Sequence, residues 1–372
     1  MLKRILFICN ESNNVVNFRS ELIKFLISND YIVDVICADD RRVSDIKKTG
    51  VDNVFVGNFT NRETNPFALA KLKKQFIKII KDTKPDIVFT FQAKPNIVGA
   101  SAAHKCKIKN IVSMVEGLGN PFQPENFKGK VLRTVVSNMY KNALKHNRLV
   151  IFLNEDDKQE FLKRKIVKDN QTLVIPGIGI DIKAIAYNEN FINNKKVVML
   201  SRLTANKGII DYCKVANLVR KTRPDISFEL YGDEQDIVAK DLLEYIKSGD
   251  IKCCGYTNSP MEVIADSTLY VSTSFYREGF PRTILEAMAL GKPIIATDTV
   301  GSKDAIKDGV NGYILHMHDI DAFASKIISL IDDEQEMRRI GGSARKCCED
   351  NYNSDVINAI LLEHLNNLNK SE

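Results

Sequence analysis

The sequence predicts an α/β protein built on two successive parallel sheets, and three observations carry that prediction. Short runs rich in Ile and Val recur between segments of helical periodicity, the pattern of strands buried on both faces by crossover helices. The chain has 372 residues, more than one hydrophobic core usually organises, so two domains are expected. Its composition, 44% hydrophobic and 27% charged with 10 Pro and 19 Gly, excludes a disordered or fibrous protein. No fixed-period self-similarity is visible, which sets solenoids aside.

In chain order, the apolar runs place strands at 5–9, 32–37, 54–56, 87–91, 111–114, 149–153 and 172–175. A second set follows at 197–200, 227–231, 251–253, 269–273, 294–297 and 313–315. Between them, residues 176–196 hold two glycines and the polar run NENFINNKK without a strong period, so the linker is expected there. Helices are expected at 319–331 and 334–348. A further amphipathic segment, 355–368, has no following strand to cover.

The net charge of +6 hides an asymmetry. Residues 1–186 carry 31 Lys/Arg against 19 Asp/Glu and residues 187–372 carry 22 against 28, so the halves stand at +12 and −6. The first half is therefore expected to meet something anionic, unless the split is a chance distribution of solvated charge. The eight cysteines have no C-x-x-C spacing, which argues against zinc and thioredoxin-type chemistry and for a reducing compartment. Lys3-Arg4 precedes an apolar run of five residues that is too short for a signal peptide, and no 18-residue apolar stretch occurs. Any membrane contact is expected to be peripheral.

Two segments of the second half carry the most chemistry. Residues 272–291, STSFYREGFPRTILEAMALG, read as a strand end, a polar loop through Gly279, and a helix with Pro281 in its first turn, where a proline sacrifices no hydrogen bond. Free N–H groups and the positive dipole end at such a start bind phosphate oxygens. Glu278 in the loop and Glu286 in the helix are instead acceptors suited to sugar hydroxyls, although helices are in general full of Glu. Residues 199–208, MLSRLTANKG, run from a buried strand into a loop with Arg202 and Lys207. A planar fork and a point charge aimed at one pocket would neutralise a diphosphate; the alternative is two solvated cations. Their place at the C-terminal end of a parallel strand favours the pocket. No P-loop and no G-x-G-x-x-G after a strand occurs, so nucleotide hydrolysis and ordinary dinucleotide binding lose their support.

Together, S-R-x-x-x-x-K-G at 201–208, Y-G-D at 231–233 and E-G-F-P-x-x-x-x-E at 278–286 resemble glycosyltransferase family 4, over residues 197 to about 315. In the first half, F-Q-A-K-P-N at 91–96 and E-G-L-G at 116–119 are similar to the subgroup that extends undecaprenyl-diphosphate-linked saccharides in bacterial glycan assembly, N-acetylgalactosaminyl α-1,3-transferases included. The resemblance implies the GT-B fold, two Rossmann-like domains with parallel sheets facing across a cleft. It implies an acceptor domain at 1–185, a nucleotide-sugar domain at 186–351, and a last helix at about 352–372 that packs back on the first domain.

It further implies that Arg202 and Lys207 clamp the donor diphosphate, that Glu278 holds the transferred sugar and that Glu286 accepts the ribose hydroxyls. Backbone at Gly279, Phe280, Pro281 and Arg282 would meet donor oxygens with Thr283 nearby, and Cys254 and Gly255 would face the uracil ring. Asn14, Arg19, Lys94, Glu116, Gly117 and Gly119 fall on the acceptor side. The resemblance implies metal independence, since family members are metal-independent, so neither metal nor cofactor is expected; the UDP-sugar is a substrate. Two departures stand out. The chain has NESNNVV at 10–16 where many members carry a Gly-Gly pair, and Gln92-Ala93-Lys94 where they often place a His. No catalytic His is assigned, and His104 is read as a surface or packing residue.

Two basic stretches complete the picture. Lys71, Lys73, Lys74, Lys78 and Lys81 surround Leu72, Phe76, Ile77 and Ile80, while Lys130, Arg133, Lys141 and Lys145 accompany Val131, Leu132, Val135, Val136, Met139 and Leu144. Such helices suit an anionic membrane surface, and ordinary crossover packing explains their apolar positions equally well. The expected protein is a retaining transferase moving a hexose or N-acetylhexosamine, GalNAc from UDP-GalNAc foremost, onto a lipid-diphosphate-linked saccharide in surface polysaccharide or O-antigen assembly. It would be cytoplasmic and peripheral to the inner membrane face. The alternatives are a non-hydrolysing UDP-sugar 2-epimerase of the same fold and a non-catalytic sugar-nucleotide or nucleic-acid binding module. With no Trp and the surplus basic residues not interleaved with stacking aromatics, nucleic acid is not expected as a partner.

Overall fold

The computed structural model describes residues 2–57, 59–60, 65–123, 126–187, 193–233 and 239–368. Seven parallel strands form the first sheet: β1 (Lys3–Ile8), β2 (Tyr31–Cys37), β3 (Asn53–Val56), β4 (Ile87–Phe91), β5 (Asn110–Val115), β6 (Leu149–Phe152) and β7 (Thr172–Val174). Six form the second: β8 (Lys196–Leu200), β9 (Ser227–Tyr231), β10 (Lys252–Gly255), β11 (Leu269–Ser272), β12 (Ile294–Thr297) and β13 (Tyr313–Leu315). Every strand expected from the apolar runs is present. The orders are β3-β2-β1-β4-β5-β6-β7 and β10-β9-β8-β11-β12-β13.

The reason the sequence folds this way is burial on both sheet faces. Ile5, Leu6, Phe7 and Ile8 of β1 are all fully buried, and Ile5 sits in register with Val33 and Ile87 on its two neighbours. The helices that cover the sheets start and stop on local signals. Helix Pro66–Thr83 begins where Asn65 Oδ1 accepts from the Phe67 N–H at 2.9 Å with proline next in line, and ends at Lys84 in the left-handed region. It buries Leu72, Phe76, Ile79 and Ile80 on the first core and leaves Phe67, in its first turn, exposed. Helix Glu155–Lys163 is capped by Asn154 and carries three acidic residues in its first turn, where the dipole favours them.

The chain divides into two compact units. One runs to Ile178 and resumes at Ser354, and the other is Gly179–Asn353. The boundary expected at 185/186 thus lies too late and the return expected at 352 slightly early. Ile180 and Ile182 are buried in the second core beside Tyr352, and the Ile180 N–H donates to the Tyr352 carbonyl at 2.8 Å, so this stretch is part of the second unit rather than a linker. Helix Ser354–Asn367 belongs to the first unit. It buries Ile357, Leu361 and Leu365, and Asn366 Oδ1 accepts from Tyr31 Oη at 2.9 Å and from Lys3 Nζ at 3.2 Å.

If this last helix is integral to the first unit, Ile357→Ala costs about 2–5 kcal/mol. Glu363→Ala, on the exposed side of the same helix, stays within about 0.5 kcal/mol. The urea midpoints of the two variants check this.

Candidate active site

In each sheet the strand order reverses once, between β1 and β4 in the first and between β8 and β11 in the second. Ligands of open α/β sheets bind beyond the carboxyl ends of the strands at such a reversal. In the second unit both motif loops emerge there. After β8 the chain makes one 3₁₀ turn, Ala205–Lys207, passes Gly208 at φ +72° and enters helix Ile209–Thr222. A Cβ on Gly208 would lie 1.9 Å from the Thr273 carbonyl oxygen. Only glycine lets the loop close on the end of β11, where Thr273 Oγ1 donates to the Gly208 carbonyl at 2.8 Å and the Phe275 N–H to the Asn206 carbonyl at 3.1 Å.

That contact delivers Lys207. It is 7% exposed, pairs through Nζ with Glu278, and lies 5.0 Å from the Tyr276 ring centroid. Arg202, at the start of the same loop, is exposed, and among the described residues its side chain has no hydrogen bond or ion pair. The structure therefore brings one cation of the expected clamp onto the Glu278 loop and leaves the other in solvent.

Helix Arg282–Ala289 follows Pro281, which stands at the cap in extended conformation instead of inside the first turn. A proline side chain cannot accept a hydrogen bond, so the N-cap residue does not itself cap this helix start. Glu286 is 8% exposed and accepts from Arg282 Nε at 3.2 Å. Burial pushes its carboxyl above the usual range, and Arg282 opposes that shift. Arg282 also donates from Nη1 to the Gly179 carbonyl at 2.8 Å, which ties the helix to the start of the unit. Thr283 Oγ1 accepts from the buried Tyr270 hydroxyl at 2.6 Å. Phe280 packs at the edge of the core, its ring 5.1 Å from that of Tyr352.

Cys254 and Gly255 are the last residues of β10, not of the loop beyond it, because pairing with β9 continues through a register shift to Gly255 opposite Tyr231. Burial is the main cause that raises the Cys254 thiol. Sequence reasoning missed the brace behind the Glu278 loop. Gly301, at φ +91° after β12, packs closely there: a Cβ would crowd the Glu278 carbonyl at 3.0 Å and the Gly279 carbonyl at 3.2 Å, and Thr297 Oγ1 donates to the Ser274 carbonyl. The available signal was a Gly-Ser step just after a strand.

In the first unit the corresponding strand ends carry a second polar group. The Asn10 N–H, after β1, donates to Gln92 Oε1 at 3.1 Å, and Gln92 itself sits at φ +70° after β4. Asn96, fully buried in the π-helical turn Pro95–Gly99, accepts from Thr90 Oγ1 at 2.7 Å and donates to the Met114 carbonyl at 2.8 Å. Such turns interrupt helices frequently at functional sites. Arg19, 2% exposed on helix Ser12–Ser28, pairs with Glu116 and lies 4.4 Å from the Phe91 ring centroid. Asn14 is half-buried in the first turn of that helix, and Gly117 and Gly119 follow Glu116 in the loop after β5. Lys94 turns elsewhere: its Nζ donates to the Thr60 carbonyl and it lines a groove of about 690 Å³ with Lys71, Lys74 and Lys78 over Phe59 and Leu72. His104 is exposed and stacked on His146, centroids 3.5 Å apart. Among the described residues no three His, Cys, Asp or Glu are grouped as a metal site.

Two parallel sheets, each reversing its strand order once with polar loops at the reversal, are the paired Rossmann-like units of the GT-B fold. The comparisons agree. Residues 183–347 match the glycosyl transferases group 1 family and residues 4–154 the glycosyl transferase 4-like family, and the chain belongs to the glycosyltransferases these two families describe. It is 28% identical to N,N'-diacetylbacillosaminyl-diphospho-undecaprenol alpha-1,3-N-acetylgalactosaminyltransferase of Campylobacter jejuni, covering 89% of this chain and 90% of that one. It is 26% identical to UDP-Gal:alpha-D-GlcNAc-diphosphoundecaprenol alpha-1,3-galactosyltransferase of Escherichia coli, over 84% and 83% of the two chains. The crystal structure of Anabaena HepE in complex with UDP and glucose superposes with a TM-score of 0.79 at 22% identity, over 98% of this chain and 100% of that one.

The Gly208 contact can be tested against a glycine of the same backbone conformation. Gly249 has φ +76° and open space around its Cβ position, so Gly249→Ala carries only the left-handed penalty of about 1–2 kcal/mol. Gly208→Ala adds a collision with Thr273, and its melting temperature is expected to fall well below that of Gly249→Ala.

Proposed function

We propose that the protein transfers an N-acetylhexosamine, GalNAc from UDP-GalNAc foremost, with retention of configuration, onto a saccharide carried on a lipid diphosphate. The single observation that carries the donor half is the Lys207–Glu278 pair beside the start of helix Arg282–Ala289. A donor diphosphate at that helix start takes over the Lys207 ammonium, with Arg202 swinging in from solvent. Glu278, released from its partner, accepts from hydroxyls of the transferred sugar, and Glu286 from the ribose. The acceptor hydroxyl attacks from the side the diphosphate leaves, its proton passing to a departing phosphate oxygen. Charge developing on the leaving UDP is met by Lys207 and the helix dipole, which are already in place, and by Arg202 once it has swung in, so the reading needs no metal.

The acceptor half is supported by the two undecaprenol-diphosphate transferases to which the chain is similar and by the lysine-lined groove of the first unit, whose charge suits an anionic lipid carrier. In this reading the enzyme works at the inner face of the membrane. No helix among the described residues is long and apolar enough to cross one.

Lys207→Ala and Arg202→Ala are each expected to lower kcat/KM by about 100-fold or more, the usual loss of a charge-stabilising donor. Unchanged kinetics in either folded variant removes that residue's role. Incubation of a lipid-diphosphate acceptor with a panel of UDP- and GDP-sugars is expected to give one N-acetylhexosamine mass increment, with an α-anomeric proton in the product spectrum. Turnover is expected to survive dialysis against EDTA, and a loss restored by added divalent ions overturns metal independence.

A further inference from the structure

We infer that the outer face of helix Phe127–Leu144 is the element that seats this protein in an anionic bilayer, a proposal that rests on the lipid-linked acceptor of the reading above. The helix buries Ser137, Tyr140, Ala143 and Leu144, joining the core of Val115, Phe152 and Phe161. Its opposite side carries Phe127, Val131 and Val135 one turn apart, with Leu132 adjoining, and these are 79%, 49%, 50% and 51% exposed. An apolar stripe facing away from the core has no packing explanation. Helix Pro66–Thr83, equally basic, spends Leu72, Phe76, Ile79 and Ile80 on the core and exposes a single large apolar side chain, Phe67, at its first turn, so the two basic stretches that read alike in the sequence part company here.

Charge identifies the occupant. Helix Phe127–Leu144 holds no Asp or Glu, and Lys128, Lys130 and Lys141 are exposed on it, with Lys145 and Arg148 just beyond. Apolar side chains ringed by exposed lysines fit the boundary between anionic headgroups and acyl chains, where the former enter the hydrocarbon and the latter stay with the phosphates. A second copy of this chain presenting the same face would oppose lysine to lysine.

The test is flotation of the intact protein with vesicles of phosphatidylglycerol and phosphatidylethanolamine or of phosphatidylcholine alone. The wild type is expected to bind the anionic vesicles preferentially and to release with salt. Phe127→Ser combined with Leu132→Ser is expected to weaken that binding by about tenfold or more, since each removed side chain forfeits its apolar transfer. Lys128→Glu with Lys130→Glu is expected to abolish the preference for anionic lipid. All four positions are exposed, so melting temperatures stay unchanged, and transfer to a water-soluble short-chain acceptor persists. Equal flotation of the serine variant overturns the inference, as does a wild type that binds no vesicle. A shift of that variant from dimer to monomer, with flotation intact, assigns the face to a second copy instead. A wild type that floats through this helix yet glycosylates no lipid-diphosphate acceptor defeats the proposed reaction and leaves the membrane face standing.

Discussion

The approach of Gly208 to the Thr273 carbonyl is the constraint on which the second unit's site depends. A backbone-to-backbone contact of that closeness fixes two loops from different strands as one body, and Lys207 and Glu278 are placed by it before any ligand arrives. Behind them, Gly301 lets the loop after β12 close on the carbonyls of Glu278 and Gly279. The polar groups that matter are thus held by main chain on main chain, which is stiffer than side-chain packing alone. Electrostatic stabilisation of a leaving group works best from positions that need no reorganisation.

The first unit solves the same problem with side chains. Its strand ends are knitted by Thr90, Asn96, Ser113 and Asn147, a buried network in which Asn147 Nδ2 donates to Ser113 Oγ at 2.7 Å. Arg19 is the largest fully buried side chain among the described residues, and its pairing with Glu116 keeps a carboxylate oriented at the end of β5. Removing either member of such a pair leaves an uncompensated charge, at a cost of about 3–5 kcal/mol. Both units therefore put fixed charge at the one place in each sheet where the topology opens a crevice.

Much of this was legible in the sequence, and the failures have physical causes. Strands buried on both faces announce themselves as Ile and Val runs, so all the strands appeared where the runs lay. The segment after Pro176 misled because glycines and asparagines mask Ile180 and Ile182, two residues too few to show a period yet enough to anchor the segment in a core. Motif spacing put Lys207 and Glu278 on adjacent loops, but the side chain of Arg202 obeys no spacing rule and stands in solvent. Tyr276 beneath Lys207 and Gly301 behind Glu278 were missed because the role of each is set by a neighbour far away in sequence, which the Gly-Ser step at 301–302 does not name. Helical periodicity located the basic amphipathic helices without telling which side met the sheet. Tertiary packing alone separates the stripe of helix Pro66–Thr83 from that of helix Phe127–Leu144.

The pairing of Ile180 with Asn353 has a bearing on how such chains are assembled in evolution and in the laboratory. It brings the entry and exit of the second unit side by side, so that the stretch between them is an insertion with a closed mouth, interrupting a first unit whose final helix is already spoken for by Lys3 and Tyr31. A module bounded in this way can be lifted out and replaced by its counterpart from a relative without stretching the host. In the reading proposed above, donor preference would then be a portable property, exchanged as a cassette, while the surface that meets the acceptor stays with its original owner.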